Sequence, residues 1–99
     1  MEIENIKVLN GIRVENMTSE STGREIPNQF IIKTDNETIF QSYRTIICVR
    51  KGGKIYLDAR KWDYSNTTGK YRNQFLGESI KETREKIKKG VYILANLNG

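Results

Sequence analysis

The sequence predicts an α+β domain: a small antiparallel β-sheet of about five to six strands, with one short and one longer helix in the C-terminal half. Three observations predict it. Short apolar and β-branched runs fill the first 60 positions, separated by the turn signals Asn10-Gly11, Asp35-Asn36 and Gly52-Gly53. After Trp62 the apolar period changes from two toward 3.6, and Gly77 and Gly90 stand where helices end. Finally, 99 residues suit a single domain spanning 1–99, and a hydrophobic fraction of 36% against 29% charged residues implies a thin core.

Asn10-Gly11 lies between Ile6-Lys7-Val8-Leu9 and Ile12-Arg13-Val14-Glu15, which predicts a hairpin with strands at about 5–9 and 12–17. The polar stretch Thr18 to Pro27 reads as a loop, with Pro27 and Asn28 leading into a strand over Gln29–Thr34. Asp35-Asn36-Glu37 turns the chain into a further strand from Thr38 through Tyr43. The run Thr45–Val49 and the segment Ile55–Ala59 flank Gly52-Gly53 as a second hairpin. Alternation places Ile55, Leu57 and Ala59 on the core side, with Tyr56, Asp58 and Arg60 opposite.

A short helix is expected over about 68–76, capped by Thr67 or Thr68, with Tyr71 and Phe75 on one face. Ser79-Ile80-Lys81-Glu82 is a capping box that opens a second helix over about 80–89. Ile80 and Ile87 form its apolar seam, and Glu82–Lys86 and Glu85–Lys89 are spaced to pair along it. Val91–Leu94 reads as a final strand.

Composition narrows function. There is no histidine and one cysteine, Cys48, set in an apolar run as a small buried hydrophobe. Zinc sites of the usual ligand sets and Ser–His or Cys–His nucleophile pairs are therefore not available within one chain. Asp58 and Asp63 are the only acidic pair near an aromatic cluster, without a third ligand, so structural or solvent-facing roles are expected of them. The expectation is a protein that is not an enzyme and uses neither cofactor nor metal. An acidic, polar start and the lack of a long apolar stretch argue for a cytoplasmic protein with no membrane contact.

Charge is uneven. Residues 1–45 hold five Lys/Arg against seven Asp/Glu, a net of −2, while residues 46–99 hold twelve against five, a net of +7. The second half is thus suited to phosphates or acidic protein surfaces. Candidate macromolecule-binding residues are Tyr43 and Arg44 on an outward strand face, and Tyr64, Thr67, Lys70 and Arg72 around a helix start. Arg84, Lys86 and Lys88 extend the basic character onto the second helix.

The segment Phe40-Gln41-Ser42-Tyr43-Arg44-Thr45-Ile46-Ile47, followed by Trp62-Asp63-Tyr64-Ser65 and by Thr67-Thr68-Gly69-Lys70-Tyr71-Arg72-Asn73-Gln74-Phe75-Leu76, resembles a family of small uncharacterised proteins of phages and other mobile elements. The likeness spans roughly residues 22–97 and is most specific in the tryptophan segment. It carries no catalytic residue over. What it implies is a short accessory protein of a mobile element. A monomer or homodimer in the cytoplasm of the bacterial host is expected. Its partner would be a host immune protein or nucleoprotein complex, in the manner of an anti-CRISPR inhibitor. The alternative is a DNA- or RNA-binding accessory protein gripping nucleic-acid phosphates through Lys70, Arg72, Arg84, Lys86 and Lys88.

Overall fold

The computed structural model describes residues 11–99. The expected strand at 5–9 lies outside the described residues, as does Asn10 of its turn. Six strands form one sheet in the order in which they occur: β1 (Ile12–Thr18), β2 (Glu25–Thr34), β3 (Glu37–Ser42), β4 (Thr45–Lys51), β5 (Lys54–Asp58) and β6 (Tyr92–Ala95). Helices α1 (Asn66–Leu76) and α2 (Ile80–Lys88) lie between β5 and β6.

The first five strands are an antiparallel meander, but β6 joins β5 in parallel, so the sheet is mixed and not purely antiparallel. The reason is the connection. Two antiparallel neighbours need only a tight turn, whereas a strand returning after two helices enters from the same end as its neighbour. The helix lengths also invert the expectation: α1 has 11 residues and α2 has 9. Ser65, not Thr67 or Thr68, caps α1, its hydroxyl accepting from the Thr68 amide at 3.1 Å, so the helix starts earlier than the threonines suggested.

The loop expected from Thr18 to Pro27 closes sooner. Gly23, at φ 74°, and the Ser19–Arg24 backbone bond of 2.8 Å turn the chain by Arg24, and β2 takes in Pro27. Pro27 is tolerated there because the β1–β2 register shifts between Asn16 and Thr18. That irregularity leaves no ladder bond for the missing proline N–H and accommodates Asn28 at φ 66°. The β4–β5 turn is as expected, with Gly52 and Gly53 at φ 60° and 76°, the left-handed pair that a two-residue hairpin requires.

Both helices cover the same face of the sheet. The buried cluster there comprises Met17, Phe40, Ile47, Cys48, Leu57 and Tyr92. Ile31, Ile55, Trp62, Tyr71, Phe75, Leu76 and Ile87 pack against it. Phe40 stacks on Phe75 with ring centroids 5.7 Å apart, which ties α1 to β3. Tyr71 and Phe75 face the core together, as their spacing predicts. Ile55 and Leu57 do too, but β5 stops at Asp58, so Ala59 is exposed; Asp58 is buried in a structural role, one of the two expected of it.

A row of side chains crosses the opposite face. The register aligns Val14 with Ile32, Ile39, Val49, Tyr56 and Ile93, one from each strand in turn. These residues alternate with the core-facing set and neither helix covers them. Among the described residues, no helix is long and apolar enough to cross a membrane.

Candidate functional site

Tyr43 and Arg44 are not part of a strand face. They are the two central residues of the β3–β4 hairpin, between Ser42 and its partner Thr45. The cause is register: Ser42 and Thr45 pair directly, leaving two residues for the turn, and Tyr43 takes φ 55° to close it. A bulky residue in the left-handed region is unusual and costs about 1 kcal/mol or more. The surroundings fix it there, because the Tyr43 amide donates to the Asn28 carbonyl at 2.6 Å and the Gln41 side chain donates to the Tyr43 carbonyl at 2.8 Å. The ring is left 53% exposed at the tip.

The hairpin tip sits beside the start of α1. Ser42 and Thr68 are both buried and share a hydroxyl–hydroxyl hydrogen bond of 2.9 Å across the gap. The β5–α1 connection arrives at the same end, and Asp58 shapes it. One carboxylate oxygen accepts from the Arg60 and Lys61 amides at 3.2 and 2.9 Å, and the other from the Leu97 amide at 2.9 Å. Burial pushes the Asp58 pKa up, but these bonds, led by that from Leu97, outweigh it and hold the group below its ordinary range. Asp58 is thereby a clamp between the connection and the C-terminal tail. Asn98 completes it by donating to the Ile46 carbonyl and accepting from the Ile46 amide, at 2.9 and 2.8 Å.

This clamp presents Arg60 and Lys61 next to Arg44. The three line a cavity of about 280 Å³ with Thr45, Asn96 and Asn98. The Lys61 ammonium lies 5.0 Å from the Tyr64 ring centre, and that ring is 43% exposed. Thr67 is exposed one step into α1. Among the described residues Arg44, Arg60 and Lys61 make no salt bridge. One end of the molecule therefore carries three cations and two accessible tyrosines on a rigid base.

Other expected contact residues lie elsewhere. Arg72 is 1% exposed and cannot reach a partner. Its guanidinium donates to the Trp62 carbonyl at 2.7 Å, Asp63 at 3.2 Å and Asn73 at 2.9 Å, and lies 5.2 Å from the Trp62 ring. It faces inward because α1 turns Thr68, Gly69 and Arg72 toward the sheet, where the bonds from its two terminal nitrogens offset the cost of burying the charge. Arg84 is exposed but pairs with Asp63 at 3.2 Å. Lys86 does not pair with Glu82, whose carboxylate closes the capping box on Ser79. It binds the buried Glu78 at 2.6 Å, and Glu78 also accepts from Thr83 and Tyr92. Burial pushes Glu78 up, but those bonds bring it below the ordinary glutamate range; the Glu78 bond in turn raises Lys86. The Glu85–Lys89 pair is present at 3.9 Å. Lys70 is exposed, its ammonium 5.4 Å from the Tyr71 ring centre, and Lys88 is exposed on α2.

Tyr43, Arg44, Tyr64 and Thr67 thus lie at one end of the molecule; Lys70 is one turn of α1 beyond Thr67 and Arg84 reaches Asp63 beside Tyr64, while Lys86 and Lys88 sit on α2 and Arg72 is structural. Arg60 and Lys61 were missed because Asp58-Ala59-Arg60 reads as a continuing strand. The adjacent cations after an aspartate were the available signal. Among the described residues, no group of three or more His, Cys, Asp or Glu side chains is arranged to hold a metal ion.

Among the described residues these features define a small α+β domain with both helices on one face of the sheet and a basic, tyrosine-bearing end. The chain belongs to a family of unknown function, DUF8033, which matches residues 12–91. No curated protein and no solved structure matches it.

Proposed function

We propose that this protein is a non-enzymatic binding protein that docks its basic end on an anionic macromolecular surface, serving a phage or other mobile element as an inhibitor of a host defence complex of the anti-CRISPR kind. The observation that carries the binding reading is the convergence of Arg44, Arg60 and Lys61 beside the exposed rings of Tyr43 and Tyr64. Held in the left-handed region, Tyr43 supports it, since such strain persists where function keeps it. The inhibitor role rests on the resemblance of the tryptophan segment to mobile-element proteins, and the bacterial cytoplasm is its setting. Affinity capture from host lysate is the test. A stoichiometric protein or nucleoprotein partner is expected with the wild-type chain and not with Arg44→Glu/Lys61→Glu. Capture that recovers no stoichiometric partner refutes the inhibitor reading.

The same end favours one other reading, direct contact with nucleic-acid phosphates, because exposed aromatic rings beside cations suit bases and backbone together. Three phosphate contacts on duplex DNA give a salt slope of about −2.7, or roughly forty-fold weaker binding between about 50 and 200 mM salt. Titration of short duplexes and single strands at both salts separates the readings. Absence of binding at the lower salt removes this one.

A further inference from the structure

We propose that the face of the sheet left uncovered by α1 and α2 is a homodimer interface, covered by the same face of a second copy of this chain. The row Val14, Ile32, Ile39, Val49, Tyr56 and Ile93 spans all six strands on that face. A second row adds Phe30 and Ile46 on either side of Gln41. Val49, midway along the row, is already buried at 9% exposure, whereas Phe30, Ile32, Ile39, Ile46, Tyr56 and Ile93 are half-buried and none of them belongs to the cluster under the helices. At the β1 edge, Ile12 and Val14 are 58% and 60% exposed. The C-terminal tail covers only one corner. There a groove of about 530 Å³ remains, lined by Ile39, Ile46, Val49, Tyr56 and Leu97 among others.

Charge and area select the occupant. The acidic and basic side chains at the margin of the face are Glu37, Lys51 and Lys54, with Lys51 already 3.8 Å from Glu37. Lys51 keeps its own Glu37, and a second copy sets the Glu37 carboxylate of each chain toward Lys54 of the other. The positive end built by Arg44, Arg60 and Lys61 lies elsewhere, and a polyanion gains little here. Six strands about 4.8 Å apart and two to three residue rows give a footprint of roughly 24 by 14 Å. With the margins of the outer side chains, two such faces bury about 1,000–1,200 Å², the low end for a specific contact. Aligned sheet-on-sheet packing at about 10 Å separation is the ordinary way for two such faces to meet.

Sedimentation equilibrium of the full chain from about 2 to about 200 µM tests this. The expected result is a reversible monomer–dimer equilibrium that persists when salt is raised, as apolar burial requires. Ile39→Lys and, separately, Val14→Lys are each expected to weaken dimerisation by about thirty-fold or more while the thermal midpoint and circular dichroism stay close to wild type. Val14 is on an edge strand and largely exposed, so its variant folds even if Ile39→Lys does not. A wild-type chain still monomeric at the highest concentration overturns the proposal, and so does a dimer that survives both substitutions. A chain that dimerises only after residues 1–10 are removed also overturns it, because that segment is then the occupant.

Discussion

Replacing Arg72 with alanine should cost stability rather than contact a partner less well. Three donated hydrogen bonds disappear, and each bond from a charged donor is worth about 1.5–3 kcal/mol before the cost of burying the charge. That cost is substantial, and the Arg72 Nε has no partner among the described residues, so the net value is far below the sum. What remains is the Trp62 carbonyl without its donor and a void where the guanidinium packed on the indole. Asp63 is partly exposed and keeps Arg84, which softens its loss. Breaking a buried pair costs about 3–5 kcal/mol, and the solvated Asp63 places this case near about 3. Against a total of about 5–15 kcal/mol, and at about 4–8 °C per kcal/mol for a domain of this size, the midpoint should fall by about 12–24 °C. Thermal and urea unfolding followed by circular dichroism read this directly. Arg72→Lys should restore little, since one ammonium cannot serve three acceptors set for a planar fork. An alanine variant whose midpoint stays within about 3 °C of wild type refutes the structural assignment and returns Arg72 to the binding residues.

Further expectations follow from the caps and the buried ionisable groups. Ser65→Ala should lose about 1 kcal/mol while Thr67→Ala stays within about 0.5, as urea midpoints will show; the reverse order would restore the threonine cap. Asp58 has a folded pKa below its ordinary 3.8, so its contribution is complete above that value and fades as pH falls through the folded pKa. Asp58→Asn should therefore be least stable relative to wild type near neutrality, with the gap closing below about pH 4 in urea titrations. Burial pushes the Cys48 thiol up to about 12. A disulfide reagent at about pH 8 should therefore leave folded protein unmodified and react only on unfolding; a fast one-equivalent burst would contradict its burial.

Much of the fold is legible in the residues because local chemistry decides it. Gly52-Gly53 can hardly be anything but a left-handed turn, and Ser79 with Glu82 caps a helix by itself. The parallel return of β6 is not local: nothing in Val91–Leu94 says which strand it joins. The site was half legible. Tyr43 and Arg44 were found for their types, but their turn depends on the pairing of Ser42 with Thr45, a contact between strands. Arg72 looked like any surface arginine, since only the packing of α1 on the sheet reveals that it points inward. The apolar reverse face had a signal that alternation obscured. Phe30-Ile31-Ile32 and Ile46-Ile47-Cys48-Val49 are continuous apolar runs, and such runs require something on both sides of a strand.

The parallel pairing of β6 also sets an order of events during synthesis. Every neighbouring pair in the meander is joined by a short connection, so β1 to β5 can zip together as soon as each strand is made. Ile55 must wait for Tyr92, and the Asp58 carboxylate for the Leu97 amide. Until those residues leave the ribosome, β5 keeps an open edge and Asp58 lacks one of its donors. The nascent chain therefore carries a sticky, unfinished border from the completion of β5 until Tyr92 to Leu97 emerge, and those residues act as the latch that ends that exposure.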